Sequence, residues 1–265
     1  MLFTRWLQYL KARWSAPSGY RNVLTFAFPL IITTGIFSIQ AFIDRLLLSQ
    51  YSSDAIAAAV PAGLIAISLT SLFIGLASYV GIFVAQFYGA RQFDQVAKIV
   101  WQGFYYIFPA TLIVIPVWML LPDLIRWVGH DPILQTMEID YARILVLAIP
   151  LIMLSASLNG FLTGLGKLRL VMWVSLVMTL VNLLLDYLLI FGFWGFPAMG
   201  IRGAGWATVI ALFTVVCIQL AIFLSKQNRK IYQTAKHWRF DPVLFKRLFR
   251  FGLPAGLQMQ FESLS

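Results

Sequence analysis

The chain has 265 residues, of which 60% are hydrophobic and 11% are charged, and its formal net charge is +10. Soluble domains are about half apolar and about a quarter charged, so this composition argues against a soluble domain and favours a membrane protein. The single cysteine, Cys217, excludes an intramolecular disulfide and a metal site built from cysteines. The basic residues lie mainly between the apolar segments, which argues against a nucleic-acid partner.

The pattern of apolar residues predicts an all-α polytopic membrane protein. Residues 1–22 form a basic N-terminal segment, in which 1–14 is either an amphipathic helix on the membrane surface or a frayed tail. A first six-helix lobe occupies 23–225, because a membrane span needs about 20 apolar residues and six segments reach that length. The predicted spans are 23–49, 57–88, 100–121, 144–165, 170–191 and 204–224.

A polar, basic linker over 226–250 follows the sixth span. A seventh apolar helix is predicted to begin at Phe251 and to be incomplete at Ser265. Most of the 20 lysines and arginines precede the first span or follow an even-numbered one. The positive-inside rule then places the N-terminus in the cytoplasm, and we expect a multi-pass protein of a bacterial inner membrane.

An internal repeat is suggested by two similar stretches. Arg21–Pro29 (RNVLTFAFP) and Lys246–Pro254 (KRLFRFGLP) both join a basic start to Phe-x-x-Pro at the entry of an apolar segment. If they correspond, a second six-helix lobe starts in the seventh helix and continues beyond Ser265, about 225 residues after the first. The alternative is chance similarity, because the shared motif is short.

Asp186 is the most unusual residue of the predicted spans. Ionisable side chains inside a bilayer are rare and are usually tied to ion or substrate pathways. Counting residues from the ends of the predicted helices places Asp44, Asn182, Asp186 and Thr208 at one depth, in the outer half of the membrane. These oxygen-bearing groups suit a proton or a small hard cation such as Na⁺. Alternatively, Asp44 pairs with Arg45 at the interface, and Asn182 and Thr208 serve in helix packing.

Other polar residues of the spans give weaker signals. Glu262 lies deep in the seventh helix, where a glutamate is as hard to explain structurally as Asp186. Four amides are predicted to line a substrate cavity or to join helices: Gln40, Asn159, Gln258 and Gln260. His130 and His237 fall in predicted loops with no nucleophile paired to them, so no enzymatic activity and no cofactor beyond the coupling ion are expected.

Several motifs, in this order and spacing, resemble the N-terminal half of a multidrug and toxic compound extrusion (MATE) transporter. Phe-x-x-Pro opens the first span, and Ile43-Asp44-Arg45 precedes a Ser- and Ala-rich turn at 53–58. The remaining motifs are GIFVAQFYGAR (81–91), NGFLTGLG (159–166), NLLLDYLLIFG (182–192), GIRGAGWAT (200–208) and GLPAGLQMQFE (252–262).

The resemblance implies a twelve-helix exporter with two six-helix lobes, driven by H⁺ or Na⁺. It implies coupling roles for Asp44, Asn182, Asp186 and Thr208, and in some branches for a glutamate that matches Glu262. The leading hypothesis is therefore an antiporter that exports organic, often cationic or amphiphilic compounds. The alternative is a flippase for a lipid-linked precursor, which predicts arginines inside the spans; here nearly all of them lie in loops.

Overall fold

The computed structural model describes Trp14 and residues 20–264, so the predicted N-terminal helix lies outside the described residues except for Trp14. Between Tyr20 and Leu264 the chain forms ten helices and no strand. Their bounds are α1 Tyr20–Tyr51, α2 Ser53–Gly89, α3 Phe93–Tyr105, α4 Ile107–Val128, α5 Pro132–Leu147, α6 Ile149–Gly164, α7 Leu168–Phe191, α8 Ile201–Phe223, α9 Lys226–Tyr232 and α10 Pro242–Leu264.

The all-α polytopic architecture is confirmed. Among the described residues, five helical stretches are long and apolar enough to cross a membrane. Helices α3 and α4 together make one of them, and the pair α5 and α6, bent by 41°, makes a sixth if it counts as one span. The connections between spans are short, so consecutive spans run in opposite directions. The described spans form one bundle, against which α10 packs through α2.

Two helices begin well before their predicted starts, at an Asp-Pro pair in each case. The fourth span begins at Pro132 rather than near 144, and the seventh helix at Pro242 rather than Phe251. Asp131 accepts a hydrogen bond from the Ile133 amide, and Asp241 accepts from the amides of Val243 and Leu244. An aspartate N-cap followed by proline at the first helical position favours a helix start. The predicted linker 226–250 is therefore partly helical.

Two spans are interrupted near a proline. The third breaks at Tyr106 and the fourth at Ala148. Pro109 and Pro150 lie shortly after these breaks. Proline has no amide hydrogen for the carbonyl four residues earlier, and its ring crowds that carbonyl, so continuous helix is disfavoured there. Because of the break at Ala148, the axes of α5 and α6 differ by 41°. Both helices contact α2.

Close helix crossings occur where two glycines meet. A Cβ atom added to Gly160 of α6 would lie 2.7 Å from the backbone nitrogen of Gly81 in α2. A Cβ atom added to Gly75 of α2 would lie 2.6 Å from the Cα of Gly256 in α10. Membrane helices associate mainly through van der Waals packing, and small residues allow their backbones to approach. The glycines therefore set the position of α6 and α10 relative to α2.

A small apolar cluster packs the ends of α1, α2, α7 and α8 together. Its buried members are Leu48, Ala55, Ala58, Ile190, Ile201 and Ala204. The cluster lies about one helical turn beyond Asp44 and Asp186 along α1 and α7. It therefore holds these two helices against each other next to both carboxyl groups.

The segment between α9 and α10 is fixed to α3 by side chains that bind its backbone. The Trp101 indole donates to the Thr234 carbonyl at 2.8 Å, and Tyr105 donates to the Trp238 carbonyl. The buried Gln102 donates to the Arg239 carbonyl at 3.2 Å and accepts from the Asp241 amide at 3.1 Å. The predicted linker is thus held in one path along the first lobe.

Candidate functional site: a buried carboxyl pair beside a central cavity

Asp44 of α1 and Asp186 of α7 interact side chain to side chain inside the bundle. Asp186 is buried, and neither of its carboxyl oxygens has a hydrogen-bond donor among the described residues. One oxygen of Asp44 is also buried without a donor among them. Two deprotonated carboxylates are both acceptors, so a proton or a cation between them would satisfy these oxygens. The arrangement suits reversible binding of such an ion.

A layer of amides lies one helical turn away from the carboxyl pair, on the same two helices. Gln40 precedes Asp44 by four residues, and Asn182 precedes Asp186 by four, so each pair shares a helix face. The Gln40 amide nitrogen donates to the Asn182 side-chain oxygen, and Thr179 donates to the Gln40 oxygen at 2.7 Å. All three side chains are buried. The pair and the amide layer thus both join α1 to α7.

Tyr141 is a neighbour of the carboxyl pair that the sequence analysis did not identify. Tyr141 lies close enough to interact electrostatically with Asp44, Asp186 and Arg45. It belongs to α5, and the predicted fourth span began at Ile144, which left Tyr141 outside the helix. The Asp131-Pro132 helix start was the signal that would have placed Tyr141 inside the bundle.

Arg45 does not form an interfacial ion pair with Asp44, which was the alternative role predicted for Asp44. The Arg45 side chain is exposed, and the ion pairs found among the described residues do not join it to Asp44. The carboxyl group of Asp44 instead interacts with that of Asp186. The interpretation of Asp44 as a member of a buried pair therefore has the better geometric support.

A cavity of about 670 Å³ lies between α1, α2, α5, α6, α7, α8 and α10. Most of its wall is apolar, with polar groups from several helices: Ser155, Asn159, Ser175, Thr208, Gln219 and Glu262. The side-chain oxygen of Asn159 is buried and has no donor among the described residues. Ligand sites of this size are typically apolar with a few placed polar groups. The cavity therefore suits an amphiphilic organic molecule.

The predicted ion site is assembled only in part. Asp44 and Asp186 come together, and Asn182 lies one turn from Asp186 and accepts a hydrogen bond from Gln40. Thr208 instead lies on the cavity wall and donates to the Ala204 carbonyl of its own helix at 3.1 Å. Glu262 also lies on the cavity wall, where it accepts from Gln258 at 2.8 Å. The two candidates for cation coupling thus occupy different surroundings: Asp186 is buried in the pair, and Glu262 faces the cavity.

Of the four amides predicted to line a cavity or to join helices, one lies on the cavity wall and two join helices. Asn159 lies on the wall. Gln40 lies instead in the amide layer, Gln258 is exposed on α10, and Gln260 accepts a hydrogen bond from Ser71 at 2.9 Å. Successive residues of α10 point in different directions, so Met259, Glu262 and Ser263 reach the cavity where Gln258 and Gln260 do not.

Comparisons with known proteins agree with this architecture. The MatE family model matches residues 29–188. The chain is 27% identical over 256 residues to "Probable multidrug resistance protein YoeA" of Bacillus subtilis (strain 168), covering 95% of this chain and 55% of YoeA. It is 26% identical over 246 residues to "Probable multidrug resistance protein NorM" of Neisseria meningitidis serogroup B (strain ATCC BAA-335 / MC58), covering 92% of this chain and 53% of NorM.

A solved outward-facing structure of a multidrug resistance MATE family transporter of the MOP superfamily has the same fold, with a TM-score of 0.80. It is 20% identical, and the match covers 89% of this chain and 52% of that one. The chain spans about half the length of the curated relatives it matches. Because the family model covers more than half of its residues, the chain belongs to the MatE family.

Proposed function

We propose that this chain is the first lobe of a secondary active antiporter that exports organic compounds in exchange for H⁺ or Na⁺. The observation that carries the proposal is the pair of the half-buried Asp44 and the buried Asp186, which joins two helices and has oxygens without donors among the described residues. An ion that binds the pair in one conformation better than in another shifts the equilibrium between them. Release of the ion on the other side would complete the cycle.

The cavity is the proposed substrate site of this lobe. Its volume and its largely apolar wall fit an amphiphilic compound, and Glu262 and Asn159 supply the polar contacts. Helix α7 contributes Asp186 to the pair, and Val174, Ser175 and Met178 to the cavity. A change in how α7 packs against α1 would therefore alter the cavity. In this way ion binding at the pair would affect substrate binding in the cavity.

The proposal includes a second six-helix lobe of the same protein, a lipid bilayer around both, and an N-terminus in the cytoplasm of a bacterial cell. The named relatives are multidrug resistance proteins about twice as long as this chain, which supports transport by two lobes. Their names do not favour the lipid-linked precursor flippase. We assign the protein no enzymatic step.

The test is Asp186→Asn in the two-lobe transporter, reconstituted in liposomes, with ethidium as the organic cation. An imposed H⁺ or Na⁺ gradient should drive ethidium export by the unchanged protein and not by the variant. Asp123→Asn is the matched control, because Asp123 is exposed and its ion pair among the described residues is with Arg126, one turn away. Gradient-driven export that persists in Asp186→Asn at the unchanged rate would overturn the proposal.

A further inference from the structure

Arg143 of α5 lies inside the fourth span, and its guanidinium group lies over the indole ring of Trp118 in α4. The guanidinium carbon is 4.5 Å from the ring centre. An arginine within a span is costly and is usually paired or functional. Arg143 takes part in none of the ion pairs found among the described residues. The cation–π contact therefore holds the positive charge in place and does not neutralise it.

The other charged side chains of α4 and α5 already have partners among the described residues. These contacts are Asp123 with Arg126, Glu138 with His130, and Asp140 with Arg202. Each carboxylate of the two helices is thus engaged by another side chain. A positive charge without a counter-ion among the described residues remains at Arg143.

The depth of Arg143 in the membrane follows from two ion pairs near the loop that joins α4 to α5. Trp118 precedes the exposed Asp123 by five residues, which is about 7.5 Å along α4. Arg143 follows Asp140 by three residues, which is about 4.5 Å along α5. The headgroup region of a bilayer is about 5–7 Å thick on each side of the hydrocarbon core, and tryptophan is enriched there. The guanidinium group therefore lies near the level of lipid phosphates.

The surface around Arg143 changes from polar to apolar toward the bilayer centre. Ile115 of α4 and Leu147 of α5 lie about one turn deeper and are 47% and 49% exposed. The Arg143 side chain is half-buried, and its Nε is buried without an acceptor among the described residues. The terminal nitrogens are thus the accessible part of the guanidinium group. Such a planar group donates parallel hydrogen bonds to phosphate oxygens.

We propose that Trp118 and Arg143 form a binding site for the phosphodiester group of an anionic phospholipid of the phosphatidylglycerol type, with an acyl chain along Ile115 and Leu147. An anionic headgroup is favoured over a zwitterionic one, because the ammonium group of a zwitterion would need a carboxylate and those of α4 and α5 are engaged. Helix α10, with which the second lobe is proposed to begin, packs against α2 and α3. The site lies instead on α4 and α5, and in the proposed orientation it faces the outer leaflet.

The test uses the two-lobe transporter in phosphatidylcholine nanodiscs that contain a rising fraction of phosphatidylglycerol with a photoreactive diazirine in one acyl chain. Mass spectrometry of proteolytic peptides measures the labelling of α4 and α5. For Arg143→Gln, the phosphatidylglycerol fraction that gives half-maximal labelling should rise about tenfold, because charge-assisted hydrogen bonds to phosphate are lost. Arg143→Lys keeps the charge but loses the planar group, so its value should lie between the two.

Arg126→Gln is the matched control, because it removes the same charge from the same end of the bundle and Arg126 lies in an exposed pair with Asp123. Its labelling should equal that of the unchanged protein. Trp118→Leu removes the ring that holds Arg143 and should weaken labelling, which keeps the test decisive if Arg143→Gln does not fold. Unchanged labelling in folded Arg143→Gln or Trp118→Leu, or an equal loss in Arg126→Gln, would overturn the inference. Equally strong labelling by a phosphatidylcholine probe would also overturn it.

Discussion

Gly160 of α6 meets Gly81 of α2 so closely that a methyl group at residue 160 would lie 2.7 Å from the backbone nitrogen of Gly81. The obstacle is backbone and not the end of a flexible side chain. Both glycines belong to stretches that carry the resemblance to MATE transporters, 81–91 and 159–166. The close approach of two helices gives a physical reason for glycine at both positions.

Gly160→Ala should therefore destabilise the lobe. Inserting a methyl group into a packed contact costs about 1–3 kcal/mol, because the backbones must separate. Thermal unfolding of the purified chain in detergent measures the effect. Gly63→Ala is the matched control: a methyl group there meets nothing within 4 Å, so its stability should stay the same or rise slightly. Equal midpoints for the two variants would contradict the predicted crossing.

Gln102→Leu should release the segment between α9 and α10. The change removes the hydrogen bonds to the Arg239 carbonyl and the Asp241 amide, and partners left unsatisfied cost about 1–3 kcal/mol each when they are buried. Trypsin should then cut faster after Lys236 and Arg239, as followed by mass spectrometry. Gln92→Leu serves as the control, because Gln92 is exposed and its side chain makes no capping bond.

Asp44→Asn and Asp186→Asn should be strongly non-additive. If the two carboxyls hold one ion, either change removes that ion, and the double variant loses little more than either single variant. The measurement is the initial rate of gradient-driven ethidium export by the two-lobe transporter in liposomes. If the double variant instead lost export rate by the product of the two single-variant factors, the two aspartates would act at separate sites.

Asn159→Phe should weaken substrate binding and leave the contact between Asp44 and Asp186 unchanged. The larger ring would occupy part of the 670 Å³ cavity and replace an unsatisfied polar oxygen on its wall. We expect the dissociation constant for ethidium, measured by fluorescence, to rise by about tenfold, which corresponds to 1.4 kcal/mol. Cys217→Phe, at an exposed position of α8, is the control and should leave ethidium binding unchanged. An unaltered constant for Asn159→Phe would place the substrate elsewhere.

The resemblance to one family was visible in the sequence because its motifs are local. Phe-x-x-Pro, the Asn182-x-x-x-Asp186 pair and the glycine-rich helix ends each lie within a few residues of chain. Apolar length alone also indicated which segments cross a membrane. Apolar length predicts starts later than Pro132 and Pro242 for these two helices, because the first turns after each Asp-Pro cap contain polar and charged residues.

The composition and spacing of the sequence determined an all-α membrane lobe with a carboxylate in its fifth span, because a bilayer tolerates few charges and demands long apolar helices. Only the tertiary structure decided which polar groups meet. It joined Asp44 to Asp186 and Gln40 to Asn182, and it put Thr208 and Glu262 on the cavity wall. The physical reason is that depth along a helix follows from counting residues, whereas the direction in which a side chain points follows from how the helices are rotated and packed against one another.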